Sequence, residues 1–335
     1  MTRLKVAIVG LGMAAGHHAR SLIDLADQVE VIAAYSPTEA RRRAFAEQYG
    51  LPVTDDPAAV FEAAAVDAVL ILTPPNSHLE LVERAARSGK HILLEKPLDI
   101  SLERAKAIVS VAHDAGVLLS IVLQNRFRSS FTALQDLLQT GQLGEILEAS
   151  ASIRNWRPQS YYDQACRGTL ARDGGGVLLT QGIHTIDLLL ALAGKPARVA
   201  SFVRTTPIHS METEDLVNAV IRFENGTTGT LNASTCAYPG YPERIELICT
   251  KGTAVLTGDS LQAHLLDGRT VTAGANLPSG VGSDPMAFGH ELHRALLADF
   301  IGAVKGENPL VVTGDDALRA HSLITEILKA DQGEA

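Results

Sequence analysis

The stretch LKVAIVGLGMAAG, residues 4–16, joins a short apolar run to a cluster of small residues. Gly10, Gly12 and Ala15 form a GxGxxA pattern, and a helical pattern, HHARSLIDLA, follows at once. Small residues at such a turn let a pyrophosphate approach the backbone, and the N-terminus of the helix attracts its negative charge. A mere tight turn is the alternative. The position between a predicted strand and a helix favours a dinucleotide-binding loop.

Short apolar runs alternate with amphipathic helical stretches up to about residue 125, in LKVAIVG, VEVIAAY, AVDAVLILT, KHILLEK and VLLSIVL. Such runs are typical of strands buried on both faces of a parallel sheet. Later runs, such as LVNAVIRFENGTTGTLNAST, alternate around turn residues and predict antiparallel strands. We therefore predict an α/β protein with a doubly wound parallel sheet in residues 1–123. Residues 124–335 should form an α+β domain with a large, open, mainly antiparallel sheet.

The composition argues against several classes of function. The 335 residues include 29 Lys and Arg against 38 Asp and Glu, without a basic stripe, so nucleic acid is not an expected partner. The three cysteines are scattered and lack metal-ligand spacing, which favours structural thiols in a reducing compartment and no metal. We see neither a signal-peptide pattern nor an uninterrupted apolar run of membrane-spanning length. We therefore expect a cytoplasmic protein without a membrane partner.

The end of the second predicted strand, VEVIAAY, bears on the choice of cofactor. An Asp or Glu belongs there if the adenosine ribose carries a free 2'-hydroxyl, but Ser36 follows the strand instead. Ser36 to Glu39 resembles a capping box, so Ser36 could be a helix cap and the following arginines a solvated face. An acid-free strand end with Arg41 nearby suits a 2'-phosphate better. We expect NADP in preference to NAD.

Two further segments follow predicted strands. In ILTPPNSH, residues 71–78, two prolines end the strand and leave a polar loop at its carboxyl end, where open α/β sheets bind ligands. His78 either contacts the cofactor or caps the next helix. In EKPLDI, residues 95–100, a lysine follows an apolar run. A lysine is rarely buried alone, so Lys96 either extends its amine to solvent or serves a bound molecule.

The segment GGGVLLTQGIHTIDLLLALAG predicts an apolar helix that begins near Gly176. Thr180, His184 and Asp187 are four and three residues apart, so a regular helix would place them on one face. A histidine bonded within its own helix is the alternative to a functional one.

The motifs GLGMAAG, ILTPPNSH, LLEKP and GGGVLLTQGIHTIDLL, in this order over nearly the whole chain, resemble the glucose-fructose oxidoreductase / inositol dehydrogenase / MocA family. The resemblance implies a Rossmann domain, a second domain whose open sheet commonly serves oligomerisation, and NAD(P)-dependent oxidation or reduction of sugars, polyols and related alcohols. It also implies that the lysine of EKP lies beside nicotinamide and substrate. Position 180 departs from the family pattern, because many relatives carry Asp, and some Asn, where this chain has Thr.

The resemblance and the residue chemistry together assign roles to a catalytic pair. We predict His184 as the general acid/base, because neutral imidazole can take the proton of the substrate hydroxyl and return it. Lys96 is the electrostatic and relay partner that stabilises the developing alkoxide. Two other classes stay open: a non-catalytic, dinucleotide-dependent ligand sensor, and a redox-neutral hydrolase that uses tightly bound NAD.

The aromatic stretch RNWRPQSYYDQACRG, residues 154–168, is loop-like and supplies further candidates. Tyr161 and Tyr162 suit a polyhydroxylated ligand, and Arg157 or Arg167 could hold a carboxylate. An oligomer contact is the alternative. We also expect a homodimer or homotetramer, since one face of the second domain's sheet has no evident covering layer.

The predicted cofactor-binding residues are Gly10, Gly12, Met13, Ala14, Ala15, Ser36, Arg41, Thr73, Pro74, Asn76, His78, Glu95, Lys96 and Asn125. The residues predicted to bind a small sugar-like or polyol-like substrate are Arg157, Tyr161, Tyr162, Thr180 and Asp187.

Overall fold

The computed structural model describes residues 3–274 and 288–331. The strands are β1 (Leu4–Val9), β2 (Val29–Tyr35), β3 (Val53–Thr54), β4 (Ala68–Ile71), β5 (His91–Leu94), β6 (Leu119–Ile121), β7 (Ile146–Trp156), β8 (Pro196–Arg204), β9 (Leu216–Phe223), β10 (Thr228–Ser234), β11 (Cys236–Cys249), β12 (Gly252–Thr257), β13 (Ser260–Leu265) and β14 (Thr270–Gly274). The α-helices are α1 (Ala15–Asp24), α2 (Glu39–Tyr49), α3 (Ala58–Phe61), α4 (His78–Arg87), α5 (Leu102–Asp114), α6 (Ser129–Gln139), α7 (Gln159–Tyr162), α8 (Leu170–Asp173), α9 (Ile183–Ala193), α10 (Glu291–Val304) and α11 (Gly314–Asp331). Two short 3-10 helices, Pro75–Ser77 and Gln124–Phe127, and a π-helical turn, Leu178–Gly182, complete the helical elements of the described part.

Backbone contacts divide the chain into two units. The first comprises Met1–Gln124 with His290–Leu318, and the second comprises Asn125–Gly289 with Arg319–Ala335. The sequence predicts a single boundary after residue 123. The structure instead assigns 290–318 to the first unit, because α10 packs against α1.

The first unit contains a six-stranded sheet in the order β3-β2-β1-β4-β5-β6. All of its strand pairs are parallel, and every residue of β4 is buried. Strands covered on both faces have this pattern, so the predicted doubly wound sheet is confirmed. The order reverses between β1 and β4, and such a reversal opens a crevice at the carboxyl edge of a sheet. The sequence did not predict β3, because two residues are too short to show periodicity.

The second unit contains an eight-stranded sheet in the order β14-β13-β12-β11-β7-β10-β9-β8. Only β7 and β10 pair in parallel among these described strands, so the predicted mainly antiparallel sheet is confirmed. Alternate residues of β9 and β13 are buried. Both α6 and α9 pack against this sheet. The alternation therefore separates a core face from a face that carries exposed side chains such as Val220.

One helical segment bears on the expected absence of a membrane partner. Leu170–Ala193 is long and apolar enough to cross a membrane by length and composition. However, 72% of its most apolar 18-residue stretch is buried inside the protein, and α9 packs against β7. A largely apolar helix that is covered by protein is typical of a domain core.

Candidate active site

The glycine loop after β1 has the shape that a phosphate-binding loop needs. Gly10 has φ +98°, and a Cβ there would lie 2.8 Å from the carbonyl oxygen of Leu72, so glycine is required. A Cβ on Gly12 would meet nothing within 4 Å, so the backbone is open to a ligand at that point. Helix α1 begins at Ala15, and Ala14 offers no side-chain cap. The first amides of such a helix attract a phosphate, and the loop therefore fits a dinucleotide.

A cavity of about 290 Å³ lies beside this loop and α2. Gly12, Met13, Arg41, Phe45 and Tyr49 contribute to its wall. Its volume is close to the lower end of the range for small-molecule sites, about 300 Å³. The cavity combines an open backbone, an aromatic surface and one guanidinium group.

The three consecutive arginines of α2 have different environments. Arg42 donates from Nη1 to the carbonyl oxygen of Ser36 at 2.7 Å. Arg43 is exposed, and its Nε lies 3.9 Å from Glu47 one helical turn away. Arg41 is the member of the three that lines the cavity, and its predicted contact with the cofactor stays a prediction.

The helix-capping role that the sequence offered for Ser36 is wrong. Helix α2 begins at Glu39, with Thr38 at the N-cap position and no side-chain cap bond. Thr38 has extended backbone angles, which delays the start of the helix. Ser36 is buried, and its Oγ accepts a hydrogen bond from the Thr38 N–H at 3.3 Å. A buried hydroxyl thus stands where a ribose-binding carboxylate would be expected.

The loop after β4 exposes Pro74 and Asn76, while His78 beneath it is fully buried. The Nε2 of His78 lies 2.9 Å from the carbonyl oxygen of Thr73, and its Nδ1 lies 2.9 Å from that of Leu98. Burial lowers the pKa of His78 below its ordinary value. His78 therefore links the loop after β4 to the segment after β5, which is a positioning role.

Glu95 joins α1 to the backbone of Lys96. Its Oε1 lies 3.0 Å from Nε2 of His18, and its Oε2 accepts a hydrogen bond from the Lys96 N–H at 3.1 Å. Burial raises the pKa of Glu95, but the hydrogen bond and charge of His18, with the charges of His293 and Lys96, lower it to about 2. The carboxylate is therefore ionised and fixes the segment that carries Lys96. Sequence reasoning missed His18, although it lies in the helix that follows the glycine loop.

The helix that carries Thr180 and His184 is not regular. Leu178–Gly182 forms a π-helical turn, and α9 begins only at Ile183. The sequence argument assumed about 3.6 residues per turn throughout, so its spacing does not apply across this wider turn. Thr180 donates from Oγ1 to the carbonyl oxygen of Gly176 at 2.7 Å. Both Thr180 and His184 are partly exposed, as candidate substrate contacts require.

Glu214 holds the start of this helix. Its Oε2 accepts from the Gly176 N–H at 2.9 Å, and its Oε1 accepts from the Leu178 N–H at 3.1 Å. A Cβ on Gly176 would lie 1.9 Å from the backbone oxygen of Glu214, which explains the glycine. Burial raises the pKa of Glu214, while these hydrogen bonds oppose the shift. Sequence reasoning missed Glu214. Its only signal in the sequence is that two acidic residues, Glu214 and Asp215, are adjacent.

Asp187 is occupied by an ion pair. The Nε of Arg126 lies 2.8 Å from Oδ2 of Asp187, and its Nη2 lies 2.6 Å from Oδ1. Asp187 is buried, whereas Thr180 and His184 are partly exposed. Its predicted contact with substrate stays a prediction. Asn125, also a predicted cofactor contact, precedes Arg126 on the 3-10 helix and is buried.

The aromatic stretch begins in a strand rather than a loop, because β7 extends to Trp156. Tyr161 is partly exposed, and its hydroxyl accepts a hydrogen bond from Nη1 of Arg167 at 2.7 Å. Tyr162 is buried and donates to Oγ1 of Thr235 at 3.1 Å. Burial raises the pKa of the Tyr162 hydroxyl. Of the two tyrosines, Tyr161 has the exposure that a ligand contact needs.

Arg157 is also buried, at 3% exposure. It donates from Nη1 to the carbonyl oxygen of Trp156 at 2.8 Å, and burial lowers the pKa of its guanidinium group. A buried guanidinium group suits a carboxylate partner, so its predicted role stays a prediction.

Comparisons with known proteins identify the chain. Residues 4–123 match the oxidoreductase family with an NAD-binding Rossmann fold, and residues 131–255 match the GFO/IDH/MocA C-terminal domain. Inositol 2-dehydrogenase of Rhizobium meliloti is 30% identical over 256 residues, which cover 74% of each chain. The chain belongs to the Gfo/Idh/MocA family. D-apiose dehydrogenase of Paraburkholderia graminis is 30% identical over 283 residues, 81% of this chain and 72% of that protein.

A solved structure agrees with this membership. The WlbA dehydrogenase of Chromobacterium violaceum, in complex with NADH and UDP-GlcNAcA, superposes with a TM-score of 0.84 at 25% identity, over 99% of this chain and 94% of that chain. The predicted family, fold and enzyme class are confirmed. This Gfo/Idh/MocA member is an NAD(P)-dependent oxidoreductase.

Proposed function

We propose that this Gfo/Idh/MocA protein transfers a hydride between nicotinamide and a carbinol carbon of a sugar, polyol or related alcohol. The related inositol and D-apiose dehydrogenases are named for such substrates. The observation that carries the proposal is the environment of Lys96. The buried Glu95 carboxylate, itself bonded to His18, fixes the Lys96 backbone after β5 of the parallel sheet, where such folds bind ligands.

In the proposed reaction, His184 takes the proton of the substrate hydroxyl during oxidation and returns it during reduction. Lys96 stabilises the negative charge that develops on the substrate oxygen and relays the proton. Position 180 offers a hydroxyl instead of a carboxylate, so it adds no negative charge to support an imidazolium form of His184. The nicotinamide, when bound, supplies the hydride chemistry.

We further propose that the cofactor is NADP in preference to NAD. The support is a buried Ser36 in place of an acid, with Arg41 in the wall of the adjacent cavity. A guanidinium group forms strong charge-assisted hydrogen bonds with phosphate, whereas a carboxylate would repel it.

The catalytic assignment is tested with a panel of inositols, pentoses, sugar acids and aromatic dihydrodiols and both cofactors, by the absorbance of the reduced nicotinamide. His184→Ala should lower kcat about 100- to 10,000-fold and leave cofactor affinity nearly unchanged, because a positioned acid/base contributes rate rather than binding. His264→Ala is the matched control, since His264 is exposed on β13. Equal kcat for the His184 and His264 variants would contradict the role of His184. Dinucleotide binding without turnover of any compound would favour the ligand sensor.

The cofactor assignment is tested by titrating NADP and NAD into the wild type and two arginine variants. Arg41→Ala should weaken NADP binding about tenfold or more and leave NAD binding unchanged, because only NADP carries the 2'-phosphate. Arg43→Ala removes the same charge from the exposed side of α2 and should have little effect. Tighter NAD binding by the wild type, or equal losses in both variants, would rule out the preference.

A further inference from the structure

A second group of ligand-type atoms lies in the second unit, formed by His209, Asp215 and Cys236. The Nδ1 of His209 lies 2.8 Å from Oδ2 of Asp215, and Sγ of Cys236 lies 3.1 Å from the same oxygen. Sγ and Nδ1 are 3.8 Å apart. His209 and Asp215 are buried, while Cys236 is partly exposed, so a small ion could enter from the side of the thiol.

These distances fit one metal ion. A point equidistant from the three atoms lies about 1.9 Å from each, and zinc bonds to nitrogen, oxygen and sulfur are about 2.0 to 2.3 Å long. An ion slightly above the plane of the three atoms would meet all of them without a large shift. Imidazole, carboxylate and thiolate together are a ligand set that zinc accepts.

The surrounding hydrogen bonds are those of a metal site. The Nε2 of His209 lies 2.8 Å from the carbonyl oxygen of Arg157, so this nitrogen donates and Nδ1 is the one directed at the group. Oδ1 of Asp215 accepts from the Thr206 N–H at 2.7 Å, and Oδ2 accepts from the Thr206 hydroxyl at 2.7 Å. Metal-bound histidines and carboxylates are typically held in this way by outer partners.

The other His and Glu cluster of the described residues lacks this support. His18, Glu95 and His293 also bring ligand atoms within 4.8 Å of one another. However, Nδ1 of His18 is buried without a hydrogen-bond partner in the described part of the chain. A metal on Nε2 of His18 would leave a buried N–H unpaired, which is costly. That cluster is better explained by the hydrogen bond between Nε2 of His18 and Oε1 of Glu95 at 3.0 Å.

A nucleophilic role for Cys236 is not supported. Its sulfur lies 3.1 Å from the Asp215 carboxylate and 3.8 Å from the imidazole, so the nearer of these two groups is an anion that disfavours a thiolate. A nucleophilic cysteine needs a lowered pKa. A metal ion is the partner that would deprotonate this thiol outright.

We propose that His209 Nδ1, Asp215 Oδ2 and Cys236 Sγ bind a zinc ion, with the fourth position left to water. Binding releases the thiol proton and any proton on Nδ1 to solvent, so the affinity rises with pH. Because His209 also bonds to the Arg157 carbonyl oxygen, the ion would stiffen the backbone beside Arg157. The proposal does not depend on the proposed dehydrogenase reaction.

The test measures zinc on the purified full chain by mass spectrometry, after loading with zinc chloride and dialysis against a weak chelator. The wild type should retain about one zinc per chain. Cys236→Ser should lower the zinc affinity at least about 100-fold. Loss of a direct ligand should lower the affinity more than loss of a hydrogen-bond partner of a ligand, which typically lowers it about 10- to 100-fold. Sγ of Cys236 lies 3.1 Å from Oδ2 of Asp215 and 3.2 Å from Oγ1 of Thr206, and a serine hydroxyl can form both hydrogen bonds. This variant should therefore fold, as circular dichroism would verify. Cys166→Ser removes an exposed thiol and is the control for adventitious zinc.

Cobalt gives a second measurement. Cobalt-loaded wild type should show thiolate-to-cobalt charge-transfer absorption that Cys236→Ser lacks and Cys166→Ser keeps. Zinc should also raise the melting temperature of the wild type more than that of His209→Gln. The proposal is overturned if the wild type retains no zinc, or if Cys236→Ser retains as much as the wild type. The three residues would then form only a hydrogen-bonded network.

Discussion

Replacing Asp187 by Asn should destabilise the second unit strongly, because the substitution breaks a buried ion pair at nearly constant volume. Arg126 is 10% exposed and Asp187 is 1% exposed, and two hydrogen bonds join them. Breaking a buried ion pair by removing one of its charges typically costs about 3–5 kcal/mol. For a unit of this size, that corresponds to a melting-temperature decrease of roughly 6–20 °C.

The assay is urea unfolding followed by tryptophan fluorescence. Trp156 is the only tryptophan of the chain and lies on β7 of the second unit, so its emission reports this unit. Asp267→Asn is the matched control, because Asp267 pairs with Arg269 at 2.8 Å but is 51% exposed. Water and salt screen an exposed pair, so the control should leave the urea midpoint nearly unchanged.

A double substitution separates the pair from its parts. Arg126→Met with Asp187→Leu removes both charges and should recover most of the lost stability, since apolar residues often replace a buried ion pair without cost. Equal urea midpoints for Asp187→Asn and Asp267→Asn would refute the burial argument. If Asp187→Asn instead leaves stability intact and raises KM for the substrate, Asp187 is a substrate ligand.

Three further predictions follow from other parts of the chain. The pKa of Glu95 is about 2 against an ordinary 4.5, so ionised Glu95 stabilises the fold by about 3 kcal/mol above pH 4.5, and this stabilisation is lost as the pH falls towards 2. Urea unfolding measured against pH should show a smaller loss of stability at low pH for Glu95→Gln than for the wild type, and parallel curves would contradict the prediction. Gly12→Ala should keep the melting temperature of the wild type but weaken cofactor binding about tenfold or more, whereas Gly10→Ala should lower the melting temperature. The reverse pattern in thermal and binding assays would contradict the loop geometry. Light scattering should give a multiple of 35.6 kDa, because the sheet of the second unit exposes Phe202 and Val220; a monomer's mass at all dilutions would contradict this.

The sequence predicted the elements whose burial leaves a pattern. The strands β1, β4 and β5 read as continuous apolar runs because helices cover both faces of their sheet. The glycine loop was predictable for a different reason: Gly10 has a positive φ and no room for a Cβ, so its residue type reports the backbone directly. Lys96 became a candidate because a charge at the end of a buried strand requires an explanation, and its role stays a prediction.

Other features depend on contacts that no local pattern records. The π-helical turn before Ile183 does not alter the spacing of apolar residues in the sequence, so the sequence predicts a regular helix there. The extended backbone at Thr38 moved the start of α2 past the proposed cap at Ser36. Residues 290–318 return to the first unit because α10 packs against α1, and no sequence motif there indicates it.

The adjacent acids Glu214 and Asp215 show why the candidate substrate site could be predicted only in part. Glu214 holds the first amides of the helix that carries His184, and Asp215 bonds to His209, which in turn bonds to the Arg157 backbone. The two side chains bond to different parts of the chain, so one dipeptide fixes two elements. Glu214 and Asp215 thus help to position the helix of His184 and the backbone of Arg157, although the sequence analysis named neither acid as a site residue. A displacement of this segment would move both elements together, and substitutions in it should alter KM and kcat jointly.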